Sequence, residues 1–446
     1  MTATIHCTLL LLAALAAAAR AAPPGRAPLY WSTYEYNIRT DRAMPEAVWA
    51  ANVDWVEKNL KPYGYTLVAV DGWGDVVYDA HGYRTRLSRE WAHDYAWWSR
   101  NLQARGMQLG IYDNPLWVSR AAAEAGVRIK NTDTPLRHLI TENKIGWFDF
   151  IGVDRPGAEQ YVKQGIQHYA DMGIRFLRVD FLSWFETGRD RYLGDNLGPV
   201  NSRAEYETAL RWMREACDAN GVFLSLVMPH LFNEAELERQ YGHMIRVGED
   251  TGNGQWWKFS DNQRGLRHDS WSQYSNPFDG LTYWSHVAGR GRVFLDADFL
   301  RLNTFDTDDE RKSAVSLCLV AGGAVAVADQ FDTIGDSLWI YQNRELLALN
   351  EEGFVGRPLT NDPADEDSQT WTGRMSNGDW IVGLFNRENE PRIRQIDFAA
   401  FGAAGPQSVR DLWRHEDLGV RTGYSAEIPR HGCVILRLSP PPTQES

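Results

Sequence analysis

Acidic side chains stand at the ends of successive short apolar runs along this chain of 446 residues. They are Asp71, Asp113, Asp180, Glu249 with Asp250, and Asp296 with Asp298. One acid at such a position commonly caps a helix, but five runs that end in acids indicate a shared acidic pocket. Two chemistries use a pocket of this kind: binding of a divalent cation and hydrolysis of a glycoside.

The residue types around these acids favour glycoside hydrolysis. His230 is the only histidine directly after a predicted strand, and no HxH or HExxH pair is present, so we predict neither a metal ion nor a cofactor. A glycosidase needs a nucleophile, a proton donor and aromatic rings that face the sugar. The candidate rings are Trp31, Trp73, Tyr112, Trp184, Trp256 and Trp257. Ordinary core packing explains tryptophans equally well.

Two acids have a cation close to them in the sequence. Arg178 and Asp180 are two residues apart on a predicted strand and therefore share one face. A neighbouring cation lowers the pKa of a carboxyl and keeps it ionised, as a nucleophile requires. A structural ion pair at the mouth of the fold explains Arg178 equally well. Arg246 and Asp250 have the same parity, with Asp250 expected just beyond its strand.

The elements that must position these residues alternate between apolar strands and amphipathic helices. The eight predicted strands are Leu29–Tyr34, Thr66–Asp71, Gln108–Asp113, Phe176–Phe181, Phe223–Met228, Met244–Glu249, Val293–Leu295 and Ala324–Ala328. Such alternation predicts a parallel sheet covered by helices, and eight units predict a (β/α)8 TIM barrel over residues 27–358. A doubly wound open sheet fits the same alternation, but no glycine-rich phosphate loop follows the first strand.

The pattern changes after a linker, Thr360–Ser368, that is rich in Asp and Pro. Short alternating runs follow, and Asn377-Gly378 predicts a hairpin turn between the first two. We therefore predict a C-terminal all-β antiparallel sandwich over residues 359–440 and a tail at 441–446. The predicted fold class is α/β, a barrel followed by this β domain.

The N-terminal residues predict where the protein is located, and its net charge excludes some classes of binding partner. The apolar stretch Thr8–Ala19, followed by Ala19-Arg20-Ala21, predicts a signal peptide at 1–22 and hence a secreted or periplasmic protein. No later stretch is expected to span a membrane. A formal charge of −13 argues against nucleic acid as a partner. Cys217, Cys318 and Cys433 have no CxxC spacing, and we expect neither a disulfide framework nor a zinc site. The oligomeric state stays open.

Several motifs, in the same order along the chain, resemble glycoside hydrolase family 27, which contains α-galactosidases and α-N-acetylgalactosaminidases. They are Gly64–Trp73, Gly106–Tyr112, Phe176–Asp180, Arg246–Asp250, Leu295–Leu300, Ala348–Glu352, Val409–Trp413, Asp417–Gly419 and His431-Gly432. The resemblance covers nearly the whole mature chain and implies a barrel followed by a β-sandwich. It also implies that Asp180 is the nucleophile and Asp250 the acid/base.

The sugar pocket departs from the family pattern. Gly72 stands where the family has the second of two adjacent aspartates that bind sugar hydroxyls, so only Asp71 remains. Val227 aligns with a position that often carries a hydroxyl-binding Glu, and Arg178 replaces the usual Lys. Because loss of a buried hydroxyl ligand changes selectivity steeply, the catalytic pair carries over better than the galactose pocket does.

The sequence therefore predicts a secreted, retaining, exo-acting glycoside hydrolase, α-galactosidase-like, with an oligo- or polysaccharide substrate. The predicted catalytic residues are Asp180 and Asp250, and the predicted substrate-binding residues are Asp71, Trp31, Trp73, Tyr112, Asp113, Arg178, Arg246, Asp296 and Asp298. Asp296 and Asp298 are expected either to bind sugar or to brace the rim. The alternatives are a β-L-arabinopyranosidase, an α-N-acetylgalactosaminidase, an isomalto-dextranase, or a barrel that binds carbohydrate without catalysis.

Overall fold

The computed structural model describes residues 25–141, 148–289 and 291–442. The predicted signal peptide at 1–22 and most of the predicted tail lie outside the described residues. The first body is a closed parallel sheet whose helices cover its outer face. Its strands are β1 Leu29–Ser32, β2 Leu67–Val70, β3 Gln108–Tyr112, β4 Phe176–Val179, β5 Phe223–Leu226, β6 Met244–Arg246, β7 Phe294–Asp296, β8 Phe299–Leu300 and β9 Val325–Val327.

The barrel has nine strands instead of the eight predicted, because one predicted strand is split into two. The seventh strand is interrupted after Asp296, so that β7 pairs with β6 while β8 pairs with β9. The N–H of Ala324 donates to the carbonyl oxygen of Leu295 at 3.0 Å and that of Ala328 to Leu300 at 2.9 Å, which joins both halves to the last strand. Since β9 also pairs with β1, the sheet closes into the predicted (β/α)8 barrel.

Helices follow the strands and form the outer layer. Their bounds are α1 Tyr34–Thr40, α2 Glu46–Asn59, α3 Tyr95–Ala104, α4 Arg120–Glu124, α5 Ala158–Asp171, α6 Leu182–Thr187, α7 Arg203–Asn220, α8 Glu236–Tyr241, α9 Trp256–Phe259, α10 Pro277–Trp284, α11 Asp308–Val320 and α12 Arg344–Glu351. Capping boxes at Ser202 and Thr307 fix the starts of α7 and α11, because each side chain accepts from the backbone N–H three residues on. Short antiparallel ribbons lie at the end of the barrel where the strands finish. One of them pairs Val77–Tyr78 with Arg84–Arg86.

Side-chain parity divides each barrel strand between two environments. Alternate residues such as Tyr30, Leu67, Phe176 and Met244 fill the interior of the barrel. The residues between them pack outward with the helices, as Trp31 does against Trp49 of α2, with ring centroids 5.6 Å apart. This alternation follows from the two-residue period of a strand and decides which strand-end side chains face the pocket.

The second body is antiparallel. Its strands are β10 Arg357–Pro358, β11 Thr370–Arg374, β12 Trp380–Phe385, β13 Arg392–Asp397, β14 Gln407–Asp411, β15 Glu416–Arg421, β16 Gly423–Ile428 and β17 Cys433–Ser439. Six of them form one sheet, in the order β10-β11-β12-β17-β14-β15, and β13 pairs with β16 in a second sheet. The first sheet begins at Arg357, two residues before the boundary predicted at 359.

The two bodies pack together through one face of β12. Ile381 and Phe385 point toward the barrel and share its core, whereas Val382 and Leu384 point into the sandwich. This packing agrees with a domain that buries barrel surface. Within the described residues, the three cysteines are unpaired and no helix is long and apolar enough to cross a membrane.

Candidate active site

A cavity of about 720 Å³ opens at the end of the barrel where the parallel strands finish. Eight of the eleven predicted site residues line it: Asp71, Trp73, Tyr112, Asp113, Arg178, Asp180, Arg246 and Asp250. Trp31, Asp296 and Asp298 are not among its lining residues. A barrel brings the ends of its strands to one face, so residues far apart in the chain meet here.

Asp180 follows β4 directly, and its carboxylate accepts hydrogen bonds at both oxygens. Phe181 has a left-handed φ of 62°, and its N–H donates to Asp180 Oδ1 at 2.7 Å. The hydroxyl of Tyr112 donates to Oδ2 at 3.2 Å. Left-handed backbone at a bulky residue stores strain, and such strain clusters at functional sites. The local backbone therefore holds the Asp180 carboxylate in one orientation at the cavity wall.

The charge state of Asp180 differs from the expectation drawn from Arg178. Burial raises the pKa of Asp180 above its usual range, although Arg246 and, to a lesser extent, Arg178 act in the opposite direction. Arg178 donates instead to Asp298 at 2.7 Å, and its Nε lies 3.5 Å from Asp71 Oδ2. Arg178 does lower the pKa of Asp180, as predicted, but the net shift is upward because desolvation outweighs two cations that are shared with other carboxylates.

Asp250 lies at the mouth of the same cavity, four residues beyond Arg246. Its Oδ1 is 2.7 Å from Arg246 Nη2, and 66% of its side chain is exposed, against 4% for Arg246. The Arg246 guanidinium stacks over the ring of Trp271 at 4.8 Å, which fixes its plane. Arg246 also lowers the pKa of Asp180, so one buried cation interacts with both predicted catalytic carboxylates.

Asp71 is a buried carboxylate with an oxygen that has no hydrogen-bond donor. Thr33 Oγ1 and the backbone of Asp71 exchange two hydrogen bonds, at 2.7 and 2.8 Å, which fix the end of β2. Asp71 Oδ2 accepts no hydrogen bond, and burial raises the pKa of Asp71 to about 7 although Arg178 Nε lies 3.5 Å from this oxygen. A buried acceptor that faces a cavity is suited to a hydroxyl group of a ligand, because burial without a donor is costly.

Trp31 does not form a pocket wall, and this prediction was wrong. The residue before it, Tyr30, points into the barrel, so strand parity directs Trp31 outward. Its indole N–H donates to the carbonyl oxygen of Asp329 at 2.8 Å, and its ring packs against Trp49. Trp256 is likewise buried, stacked on His431 with ring centroids 4.7 Å apart.

Asp296 and Asp298 are fully buried and are not among the residues that line the cavity, which favours the alternative that they brace the rim. Asp298 accepts from Arg178 at 2.7 Å and from the backbone N–H of Thr251 at 2.9 Å. Burial alone would raise the pKa of Asp298, but Arg246 and Arg178 outweigh it and hold the pKa below its usual range. Asp296 Oδ1 accepts from the N–H of Asp298 at 2.9 Å. Both carboxylates are buried in the barrel, and Asp298 pairs with both Arg178 and Arg246.

Asp113 lines the cavity but has both carboxylate oxygens engaged. Arg84 Nε lies 2.9 Å from Oδ1, and the hydroxyl of Tyr169 on α5 donates to Oδ2. Arg84 Nη1 also donates to the carbonyl oxygen of Tyr112 at 3.2 Å. Asp113 therefore holds Arg84 in the cavity wall, and Arg84 is a lining residue that the sequence reasoning missed.

The departure at Gly72 has a steric cause in the structure. Gly72 has a φ of 93°, and a Cβ atom there would stand 2.2 Å from Oδ1 of Asn37. Asn37 is held in place because its Nδ2 donates to the carbonyl oxygens of Arg42 and Trp73, at 2.8 and 3.0 Å. The amide of Asn37 thus occupies the space that a side chain at position 72 would need. Val227 is fully buried and does not line the cavity.

An aromatic wall completes the cavity, and the sequence analysis did not identify it. Trp117 and Phe148 stack with ring centroids 4.0 Å apart, and Phe181 packs against both. Tyr34 and Phe299 form a second stack at 4.3 Å beneath the Arg178 guanidinium. Phe181 and Phe299 could have been found, because each directly follows an acid or an acidic pair at a strand end. Trp117 comes from a two-residue ribbon strand that has no periodic signal.

The arrangement provides two carboxylates, fixed cations and ring faces around one cavity. These are the groups needed for nucleophilic attack on a sugar, for proton transfer to a leaving oxygen and for stacking on a pyranose. Among residues 25–141, 148–289 and 291–442, no group of three or more His, Cys, Asp or Glu side chains could hold a metal ion.

Comparisons with known proteins agree with both bodies of the fold. Residues 365–438 match the family model of the alpha-galactosidase C-terminal beta sandwich domain. Over 443 residues the chain is 39% identical to the isomalto-dextranase of Arthrobacter globiformis, an alignment that covers 94% of this chain and 68% of that protein. The chain is also 22% identical to alpha-galactosidase 3 of Arabidopsis thaliana, covering 86% of this chain and 76% of that one.

Solved structures give the same picture. The isomalto-dextranase of Arthrobacter globiformis T6, complexed with panose, matches with a TM-score of 0.89 at 38% identity, covering 94% of this chain and 73% of that one. A β-L-arabinopyranosidase of family GH27 from Geobacillus stearothermophilus matches in fold, with a TM-score of 0.74 at 19% identity over 94% of this chain and 98% of that one. The barrel, the sandwich and a relative of this identity together show that the chain belongs to glycoside hydrolase family 27.

Proposed function

We propose that the protein is a retaining glycoside hydrolase that cleaves an α-(1→6)-linked glucan of the dextran type. The observation that carries the proposal is the shared cavity that Asp180 and Asp250 both line, together with the buried Arg246 that pairs with Asp250. The choice of glycone is supported by the 39% identity to an isomalto-dextranase over nearly the whole chain. It replaces the α-galactosidase-like specificity that was predicted from the sequence.

The proposed mechanism is a double displacement. The ionised carboxylate of Asp180 attacks the anomeric carbon while Asp250 gives its proton to the leaving oxygen, which breaks the bond between that oxygen and the carbon. The carboxylate of Asp250 then takes a proton from water, whose oxygen displaces Asp180 from the anomeric carbon. Two inversions give retention, and this chemistry predicts carboxylates about 5–5.5 Å apart. Because the hydroxyl of Tyr112 donates to Asp180, it stabilises the carboxylate before the attack and after release.

The sugar pocket supports a glycone other than galactose. A galactoside pocket of this family has a second aspartate at position 72, but that position is a glycine whose Cβ space is occupied by Asn37. Asp71 remains as a hydroxyl ligand, because its Oδ2 accepts no hydrogen bond from the protein and has only the Arg178 Nε cation near it, at 3.5 Å. A cavity of about 720 Å³ is larger than one hexose needs, which suits a chain of linked sugars.

We also propose that the protein is exported. The support is the apolar stretch Thr8–Ala19 followed by small residues at a cleavage site, together with the size of the proposed substrate. A dextran-type polymer does not cross a bilayer unaided, so an enzyme that hydrolyses it must act outside the cytoplasm.

The test is hydrolysis by the purified mature protein. Dextran, an aryl α-galactoside and an aryl β-L-arabinopyranoside are compared by release of product, and the anomer formed first is read by proton NMR. We expect cleavage of dextran with retention, and a loss of more than about 10³-fold in kcat for Asp180→Asn. Asp417→Asn is the control, because that side chain is 81% exposed and lies in the C-terminal sheet. Near-normal turnover by Asp180→Asn would remove the assignment of the nucleophile, and cleavage of the galactoside alone would return the specificity to galactose.

A further inference from the structure

A hairpin that follows α6 reaches the side of the pocket where Asp250 stands. Arg189–Asp190 pairs antiparallel with Gly194–Asp195, and the turn between them carries the exposed side chains of Tyr192 and Leu193. Asp190 Oδ1 accepts from the backbone N–H groups of Tyr192 and Leu193, at 2.7 and 2.9 Å. These bonds fix the turn, because an Asp side chain that accepts from residues two and three further on stabilises a tight turn.

The hairpin is anchored to the region around the catalytic residues at two points. The indole N–H of the buried Trp184 donates to Asp190 Oδ2 at 3.2 Å, and Trp184 packs on Phe181, which follows Asp180. At the tip, the hydroxyl of Tyr192 donates to Glu249 Oε2 at 2.9 Å. Glu249 is the residue before Asp250, and consecutive Cα atoms are about 3.8 Å apart. The ring of Tyr192 is therefore held against the residue that precedes the predicted proton donor in the chain.

The aromatic ring of Tyr192 has one face exposed to solvent. Tyr192 is 71% exposed although it is large and apolar. The Arg191 guanidinium lies 5.2 Å from the ring centroid, and its Nη1 is 3.5 Å from Glu249 Oε1. One face is thus covered by a cation that is itself held by Glu249. An aromatic ring that is fixed before binding loses little entropy on contact with a ligand, and tyrosine is well suited to that use.

The chemistry of a retaining glycosidase says which part of a substrate meets this ring. The proton donor must reach the glycosidic oxygen, so the sugar that departs lies next to Asp250, on the side away from the anomeric carbon. Glucose units present apolar C–H faces that stack on aromatic rings, and a polymer places another glucose unit at that position.

We propose that the hairpin Arg189–Asp195 is a binding platform for the leaving-group part of an α-glucan chain, on which Tyr192 stacks the departing glucose unit. The proposal rests on the proposed function, and it assigns this hairpin a role in the selection of polymeric substrate. Glu249 is a positioning residue, because it acts by holding Tyr192 and Arg191.

The test compares substrates with and without a leaving-group sugar. Kinetics are measured for Tyr192→Ala and Tyr192→Phe on dextran and on α-isomaltosyl fluoride, whose leaving group is a single atom. We expect Tyr192→Ala to raise KM for dextran about 3- to 10-fold with kcat nearly unchanged, and to leave both constants for the fluoride unaltered. Tyr192→Phe keeps the ring but loses the hydroxyl that Glu249 holds, so its KM for dextran should lie between those of the wild type and Tyr192→Ala. Ile393→Ala is the control, since Ile393 is also 71% exposed but lies in the C-terminal domain.

The outcomes separate this inference from the proposed function. If the wild type cleaves neither substrate, the proposed function has failed and the platform falls with it. If the wild type cleaves both and Tyr192→Ala keeps its KM for dextran, the platform alone is overturned. Equal losses on dextran and on the fluoride would also overturn it, because the hairpin would then support the acid/base region instead of binding the leaving group.

Discussion

The contact between Gly72 and Asn37 makes a stability prediction that tests the account of the altered sugar pocket. Gly72→Ala adds a Cβ atom whose ideal position is 2.2 Å from Oδ1 and 2.4 Å from Cγ of Asn37. A side chain at a φ of 93° costs about 1–2 kcal/mol by itself. Overpacking against a held side chain adds about 1–3 kcal/mol. We therefore expect Gly72→Ala to lower the free energy of unfolding by about 2–5 kcal/mol.

A double-mutant cycle separates the two costs. Asn37→Ala removes the amide that stands in the way and, through its two lost hydrogen bonds, costs about 1–3 kcal/mol alone. In that background Gly72→Ala should cost only the backbone strain, so the two changes should couple by about 1–3 kcal/mol. Gly126→Ala is the matched control, because its φ is 75° and no atom lies within 4 Å of its Cβ position.

The assay is denaturation in urea, with circular dichroism as the readout and the slope compared between variants. Steric exclusion by Asn37 is refuted if Gly72→Ala costs no more than Gly126→Ala, or if its cost is undiminished when Asn37 is alanine. A positive result would mean that an aspartate cannot be restored at position 72 without a change at position 37. That coupling would explain how loss of the second aspartate became fixed in this pocket.

Two further variants test the charges beneath and beside Asp180. Burial raises the pKa of Asp71 from 3.8 to about 7, so its neutral form favours the fold and its contribution to stability is lost as the pH rises from about 4 through 7. The side chain of Asp71→Asn cannot ionise, so thermal melts from pH 4 to 8 should show that its free energy of unfolding exceeds that of the wild type by an amount that approaches about 4 kcal/mol at pH 8. Its kcat/KM for substrate should fall. A difference in stability that does not change with pH would contradict the raised pKa of Asp71. Asp298→Asn removes the shared partner of Arg178 and Arg246 and should cost about 3–5 kcal/mol at pH 7. Because the pKa of Asp298 is held low, the difference in free energy of unfolding between the wild type and Asp298→Asn should shrink as the pH falls. A cost below about 1 kcal/mol in urea denaturation at pH 7 would show that Arg178 and Arg246 do not depend on Asp298.

Most of the barrel could be predicted because its strands are apolar runs bounded by glycines and acids. The predicted strand Gln108–Asp113 differs from the observed Gln108–Tyr112 by one residue. The break after Asp296 was missed, because Asp298 takes a left-handed φ of 65° that no sequence pattern required. The hairpin Arg189–Asp195 was also missed. Its strands have only two residues each, which is too short for a periodic signal. The hairpin is held by the hydrogen bond from the Tyr192 N–H to Asp190 and by the contact of Tyr192 with Glu249, which is distant in the sequence.

The parity of the strands explains where Trp31 and Asp113 lie. Phe176 fills the interior of the barrel, so Arg178 and Asp180, at the same parity on β4, were correctly expected inside. The same count places Asp113 differently, because its neighbour Tyr112 pairs in register with Arg178 and faces inward. Asp113 therefore turns outward to Arg84 and α5, just as Trp31 turns outward after Tyr30. Both parities reach the cavity lining, but Asp113, with the outward parity, has both oxygens held by Arg84 and Tyr169, whereas Asp71 and Asp180 share the parity of the residues that fill the barrel. Among acids of the inward parity, the position along the strand decides which ones reach the cavity. Asp296 is still part of its strand and does not line the cavity, whereas Asp71 and Asp180 each follow the last residue of their strands and line it.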